Sequence, residues 1–221
     1  ITLRKNIVNM HKLIFFAILH LAILFQASAQ EKLSAKDILD KTSIAINSSN
    51  GFNAKFTTTS FDGTTPANSF DGTLDVKGEK YIMKTDAISV WFNGQEQWTL
   101  MPENNEVSLV TPTPEEMQVS SPMSFATIYK QGFKLSKESG TLRNRKVWNI
   151  TLLPKDRKQE PSKITVTIDQ QTYLPLCLRV RNNGDWTRIS ITDINTNINF
   201  SDSHFTFPAS AYPGYEIIDL R

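Results

Sequence analysis

The sequence predicts a mainly β protein with helices (α+β), built on one large antiparallel sheet. Three observations lead there. Apolar and polar residues alternate at period two in about ten short segments after Gly51. Short turn signals separate those segments. Helical periodicity is confined to one stretch before the first strand and one proline-punctuated stretch midway. Strands joined by short turns favour an antiparallel sheet over βαβ units.

Residues 1–29 read as a signal peptide outside the fold. Met10 is followed by Lys12, an apolar run from Leu13 to Phe25 broken only by His20, and the small residues Ala27-Ser28-Ala29 before Gln30. Residues 1–9 read as lying upstream of the true start. The apolar run is shorter than the about 20 residues of a membrane span, so cleavage rather than anchoring is expected. No cysteine stands near the cleavage site, so a lipid-modified amino terminus is not expected. Residues 30–221 are expected to form a single domain.

The leader also carries the apparent basicity. The whole chain has 24 basic and 22 acidic residues. Arg4, Lys5 and Lys12 lie in the leader with no acid, so 21 remain against 22. That balance gives no reason to expect a nucleic-acid partner. The only cysteine, Cys177, cannot form an internal disulfide. It alternates with Leu176 and Leu178 and reads as a packing residue.

Ser34 to Asn47 predicts a helix, with Ser34 as N-cap and Asp37 in the first turn. Ile38, Leu39, Ala45 and Ile46 form its stripe, and Asn47–Gly51 ends it with residues tolerant of left-handed backbone. Phe52, Ala54 and Phe56 then begin the period-two pattern, followed by Phe70, Gly72, Leu74 and Val76. Ile88, Val90 and Phe92 run into Asn93-Gly94, a strong hairpin signal, and Trp98 and Leu100 continue beyond it. Val107 and Leu109 form a short return strand. Trp148, Ile150 and Leu152, then Ile164, Val166 and Ile168, then Leu176, Leu178 and Val180 follow. Asn182–Asp185 turns into Trp186–Ile194, and Phe205-Thr206-Phe207 reads as a closing strand. Phe-Asp-Gly-Thr occurs at 61–64 and at 70–73, and both copies read as turn signals. Between Thr111 and Tyr129, Pro114-Glu115-Glu116 reads as a helix start, proline early and acids in the first turn.

Catalytic groupings are sparse. Beyond the leader the sole histidine is His204, for which a surface place is expected, and one His with one Cys makes no zinc set. No G-x-G-x-x-G or P-loop occurs. Asp71, Asp75 and Glu79 alternate with apolar neighbours and read as a solvated strand face rather than a glycosidase pair. No cofactor or metal is expected, and the chain is read as a non-enzyme. Of 13 Phe only Phe15, Phe16 and Phe25 lie in the leader, and all four Trp lie beyond it. This apolar content is compatible with an ordinary core or with a sheet curved round a cavity. Met117 and Met123 on the inserted segment favour the cavity, because thioethers repack around variable chains.

Gly51–Thr57, Phe70–Lys77, Phe92-Asn93-Gly94-Gln95-Glu96-Gln97-Trp98, Phe205-Thr206-Phe207-Pro208 and Gly214–Asp219 resemble, in order and spacing, the outer-membrane lipoprotein carrier family (LolA-like). The resemblance runs from about Glu31 to Asp219. It implies a half-open antiparallel β-barrel of about 10–11 strands, covered by an N-terminal helix and short inserted helices. It further implies binding of lipoprotein acyl chains by a monomer in the periplasm of a Gram-negative bacterium. An inner-membrane lipoprotein-releasing ABC transporter would be the donor and an outer-membrane protein the acceptor. Where the family has Arg-Pro after the second strand, this chain has Gly78-Glu79. The family's latch arginine therefore cannot be carried over to these positions.

The residues put forward as the acyl-chain lining are Phe56, Leu74, Ile82, Trp91, Trp98, Leu100, Trp148, Ile150 and Ile168 from the sheet. Met117, Met123, Phe125 and Ile128 are added from the cover. A slip of one residue would move a whole strand's set to the other face. A periplasmic carrier or sensor of another envelope lipid or glycolipid, and a small hydrolase, stand as alternatives.

Overall fold

The computed structural model of the chain describes residues 33–221, apart from 48, 49, 123 and 131. The leader lies outside the described residues. Helix α1 spans Ala35–Asn47. Ser34 caps it as expected: the Asp37 amide donates to Ser34 Oγ at 3.1 Å, and the Ser34 amide donates back to Asp37 Oδ2 at 2.9 Å. The helix buries Ile38, Leu39, Thr42 and Ile46.

Twelve strands follow. They are β1 Phe52–Asp62, β2 Thr65–Lys77, β3 Lys80–Thr85, β4 Ser89–Phe92, β5 Gln97–Met101 and β6 Glu106–Val110. After the inserted segment come β7 Phe133–Leu142, β8 Arg145–Pro154, β9 Lys163–Asp169, β10 Pro175–Asn182, β11 Asp185–Thr196 and β12 Glu216–Asp219. They form one open sheet in the order β12-β6-β5-β4-β3-β2-β1-β11-β10-β9-β8-β7. Among the described residues the two edge strands do not pair, so the half-barrel stays open. Every ladder is antiparallel except β12 on β6, which is parallel. Helices α2, Pro114–Ser120, and α3, Phe125–Ile128, lie in the connection from β6 to β7.

Three local expectations are corrected. Phe205 ends a 3₁₀ turn, Asp202–Phe205, rather than opening a strand, because the chain there crosses the sheet and does not pair with it. The second Phe-Asp-Gly-Thr lies inside β2; only the first makes a turn, with Gly63 at φ +59°. Strands β7 and β12 add to the expected set. Strand β7 reads Phe-Lys-Leu-Ser-Lys-Glu-Ser-Gly-Thr-Leu, an edge strand whose apolar signal is diluted by polar residues.

The sheet is covered on both faces, at different ends. The inner face meets α1 and α2: Ile46 packs with Phe52, Ala54, Val76, Tyr81, Val90 and Phe92, and Met117 packs against the same cluster. The outer face of β3–β6 carries Ile82, Trp91, Trp98, Leu100, Val107 and Leu109. They are buried by Phe205 and Phe207 of the C-terminal segment, with the Trp91 and Phe207 rings 5.2 Å apart, edge to face. Lys77 Nζ donates to the Phe200 carbonyl at 2.7 Å, and both Lys77 and Lys80 pair with Asp202, fixing that segment on the sheet.

Candidate binding cavity

Register defines the inner wall, because directly opposed residues on an antiparallel ladder share a face. Leu74 faces Met83, Thr58 faces both Phe70 and Ile189, and Phe56 faces Gly72. Phe56, Thr58, Phe70, Leu74, Met83 and Ile189, with Ile88 and with Pro122 from the connection between α2 and α3, border an apolar chamber of about 500 Å³. That is within the usual range of ligand pockets, about 300–1,000 Å³. Its lining is incompletely buried: Phe56, Leu74, Met83, Ile88 and Ile189 are each half-buried, and Phe70 stands 49% exposed at the mouth. The outer cluster behaves otherwise, with Trp91 at 2% and Leu100 at 3%. The outer face of β3–β6 is a closed core; the inner face around this chamber is unfinished.

A second chamber of about 630 Å³ lies beyond the cover. It is bounded by Phe92, Met117, Pro112, Ser121, Ser124 and the hairpin residues Gly78 and Glu79. Gly78 sits there at φ +60°, a left-handed backbone that suits glycine in the β2–β3 turn. Ser121 borders this chamber and Pro122 the apolar one, so the α2–α3 connection passes between the two. Met117 lines the second chamber while packing against the buried inner cluster on which Leu74, Met83 and Ile88 also pack.

The cover is anchored by polar contacts. Thr113 caps α2: the Glu116 amide donates to Thr113 Oγ1 at 3.3 Å, and the Thr113 amide donates to Glu116 Oε2 at 2.7 Å. Bonds from the Thr113 amide and then the Thr113 hydroxyl hold the Glu116 carboxyl below its ordinary range. Pro114 stands at the first helical turn, as the sequence predicts. The Tyr129 hydroxyl donates to Asp40 Oδ1 of α1 at 2.5 Å. Lys36 and then Tyr129 hold the Asp40 carboxyl low, while burial followed by the Asp40 carboxylate pushes the Tyr129 hydroxyl up. Deeper on the inner face, burial pushes the Tyr81 hydroxyl up to about 12, and it donates to Gln97 Oε1 at 3.0 Å.

The residues put forward from sequence divide into four groups. Phe56 and Leu74 line the apolar chamber and Met117 lines the second. Ile150 and Ile168 share the inner face by register but are wholly buried, in a part of the wall filled by the protein's own side chains. Trp148 is half-buried there, its ring 5.4 Å from that of Tyr173, over which Lys41 of α1 lies at 5.2 Å. Ile82, Trp91, Trp98 and Leu100 are on the outer face in the closed core and require correction as lining residues. Strands β3 and β4 are apolar on both faces, so alternation alone left the choice between Ile82 and Met83, or Trp91 and Val90, open. Ile128 is half-buried on α3, Phe125 opens that helix, and Met123 lies outside the described residues. Sequence reasoning omitted Phe70, Met83, Ile88 and Ile189. Phe70 was recoverable, since it stands four residues before Leu74 in the same alternation.

His204 is partly exposed, with its Nε2 2.8 Å from Asp75 Oδ2 and its ring stacked on Phe200. Both groups serve the docking of the C-terminal segment. Among the described residues no group of three or more His, Cys, Asp or Glu is placed to hold a metal, and no helix is long and apolar enough to cross a membrane.

Residues 25–184 match the family described as outer membrane lipoprotein carrier protein LolA. The chain belongs to this family. Its fold is likewise similar to solved structures. An uncharacterized conserved protein from Thermus thermophilus is 9% identical at TM-score 0.59, with 84% of this chain and 98% of that one covered. The LolA superfamily protein NE2245 from Nitrosomonas europaea is 11% identical at TM-score 0.43, covering 80% and 99%. LprF from Mycobacterium bovis is 10% identical at TM-score 0.47, covering 79% and 96%. No curated protein matches the sequence. LolA-family membership thus rests on the sequence match. The open sheet carries helices across its inner face, and the half-filled chamber lies on that face.

Proposed function

We propose that this LolA-family chain carries lipid acyl chains through the cell envelope, taking lipoproteins from the inner to the outer membrane after cleavage of the 1–29 leader. The observation that carries the reading is the half-buried lining of the apolar chamber, set against the closed core on the opposite face of the same sheet. Burying a methylene is worth about 0.8 kcal/mol, so an acyl chain of about sixteen carbons gains roughly 12 kcal/mol when fully enclosed. A carrier must also release. A chamber with Phe70 at an open mouth shields a chain only in part and so keeps affinity below that limit. By family resemblance the donor is the lipoprotein-releasing ABC transporter and the acceptor an outer-membrane protein.

A second reading, a carrier of a different envelope lipid, is favoured by one observation: Gly78-Glu79 occupies the rim where the family has its Arg-Pro. Purified protein stripped of lipid, offered a triacylated lipopeptide and a phospholipid of equal chain length, separates the two. Preferential uptake of the lipopeptide supports lipoprotein carriage, and preferential uptake of the phospholipid supports the alternative. Uptake of neither sinks both.

A further inference from the structure

The outer face over β1 and β9–β11 is unlike the rest of the sheet. Arg179 and Arg188 stand directly opposite each other on β10 and β11. Like charges so placed destabilise a ladder. Each guanidinium lies over an aromatic ring, Arg179 over Trp186 at 5.1 Å and Arg188 over Phe61 at 5.2 Å. Those two rings are themselves opposed, as Phe61 pairs with Trp186 across β1 and β11. One row nearer the hairpin ends, Arg181 faces Trp186 on one side and Lys163 on the other.

Arg181 Nε donates to the Gly184 carbonyl at 3.3 Å, whereas the opposed pair has no such bond among the described residues. Among the described residues the side chains of Arg179 and Arg188 make no ion pair and no hydrogen bond, and Arg188 Nε is buried without an acceptor. Leaving a charged donor both dehydrated and unpaired is costly. The nearby acids Asp62, Asp185 and Glu160 sit in turns or at strand ends, and none pairs with these cations. Two guanidinium forks held by ring stacking suit the oxygens of a phosphate.

We infer that this patch docks the protein onto an anionic phospholipid bilayer. Lipid phosphates lie between Arg179 and Arg188, and the Trp186–Phe61 pair sits at the headgroup level. Two features favour a bilayer over a dissolved anion. The cations are spread over an open three-strand face rather than gathered in a cavity, and aromatic rings beside basic residues form an interfacial anchor. The surface lies on the face opposite the acyl-chain chamber, so docking leaves that chamber's lining free.

The test is flotation of the intact protein with vesicles of phosphatidylcholine alone or mixed with phosphatidylglycerol. Binding to the mixed vesicles alone, weakened by added salt, is expected. The double variant R179Q/R188Q should bind them roughly 30-fold more weakly, at about fivefold per charge lost. K163Q/R181Q, at more peripheral sites, should lose a similar factor and decides the matter if the first variant does not fold. Fatty-acid uptake by the folded variants should match the wild type, which separates loss of docking from failure of the chamber. The inference is overturned if the wild type binds both vesicles alike or neither, or if folded variants bind as well as the wild type. It is equally overturned if inorganic phosphate at constant ionic strength displaces the protein, since the patch would then be a free-anion site.

Discussion

The ring of Phe56 on β1 lies across Gly72 on β2, in the space a side chain at position 72 would need. A Cβ at Gly72 would overlap the ring, and the Lys84 carbonyl 2.9 Å from that position leaves no room to the other side. A glycine that reads as a turn signal in the sequence therefore shapes a wall of the chamber.

Replacing Gly72 by valine should push the Phe56 ring into the chamber. Overpacking of this kind costs typically about 1–3 kcal/mol, and capacity for a long fatty acid should fall more than stability does. Urea unfolding and titration with a fluorescent fatty acid measure the two effects. Unchanged fatty-acid affinity in a folded Gly72→Val protein would show that Phe56 does not bound the guest.

Leu74 and Leu100 should respond oppositely. Leu100→Ala opens a cavity in the closed outer core and should cost about 2–5 kcal/mol, with fatty-acid affinity retained wherever the protein remains folded. Leu74→Glu places a charge in the half-open chamber and should cost affinity first. Both substitutions are read by thermal melting alongside lipid titration. A matching pattern in the two would erase the distinction between chamber and core.

Acid should loosen the cover. The folded-state pKa values of Asp40 and Glu116 are lowered, so the stability they contribute is present above the unfolded value near pH 4 and is lost as pH falls through the folded one. Hydrogen exchange in residues 112–130 should therefore rise below about pH 4. Tyr129→Phe removes the bond to Asp40 and should cost about 1 kcal/mol. Asp40→Asn should flatten much of the pH response, and a response unaltered by that change would place its origin elsewhere.

Guest binding should slow exchange in residues 112–130 while leaving β8–β10 unaffected, since the wall around Ile150, Val166 and Ile168 is already filled. Hydrogen exchange with and without bound fatty acid checks this. Equal protection of 112–130 in both states would mean that the cover does not move.

Much of the fold was legible because its signals are local. The Ser34 cap, the Asn93-Gly94 hairpin, the Pro114 helix start and the alternation along β1, β2 and β9 each depend on neighbours a few residues away. Leu74 and Phe56 followed from that alternation. Strand β7 was obscured by its polar residues, and β12 by its dependence on a parallel partner more than a hundred residues earlier in sequence.

What the sequence determined by itself is most of the strands, their order in the chain and the helical cover. Which face each apolar row serves was decided only by tertiary structure. In β3 and β4 consecutive residues are apolar, Tyr81-Ile82 and Val90-Trp91-Phe92, so a period of two has no polar phase to orient it. The choice falls to distant segments. The helices leave the inner row of Leu74, Met83 and Ile88 incompletely covered, while Phe205 and Phe207, arriving from the far end of the chain, seal the outer row.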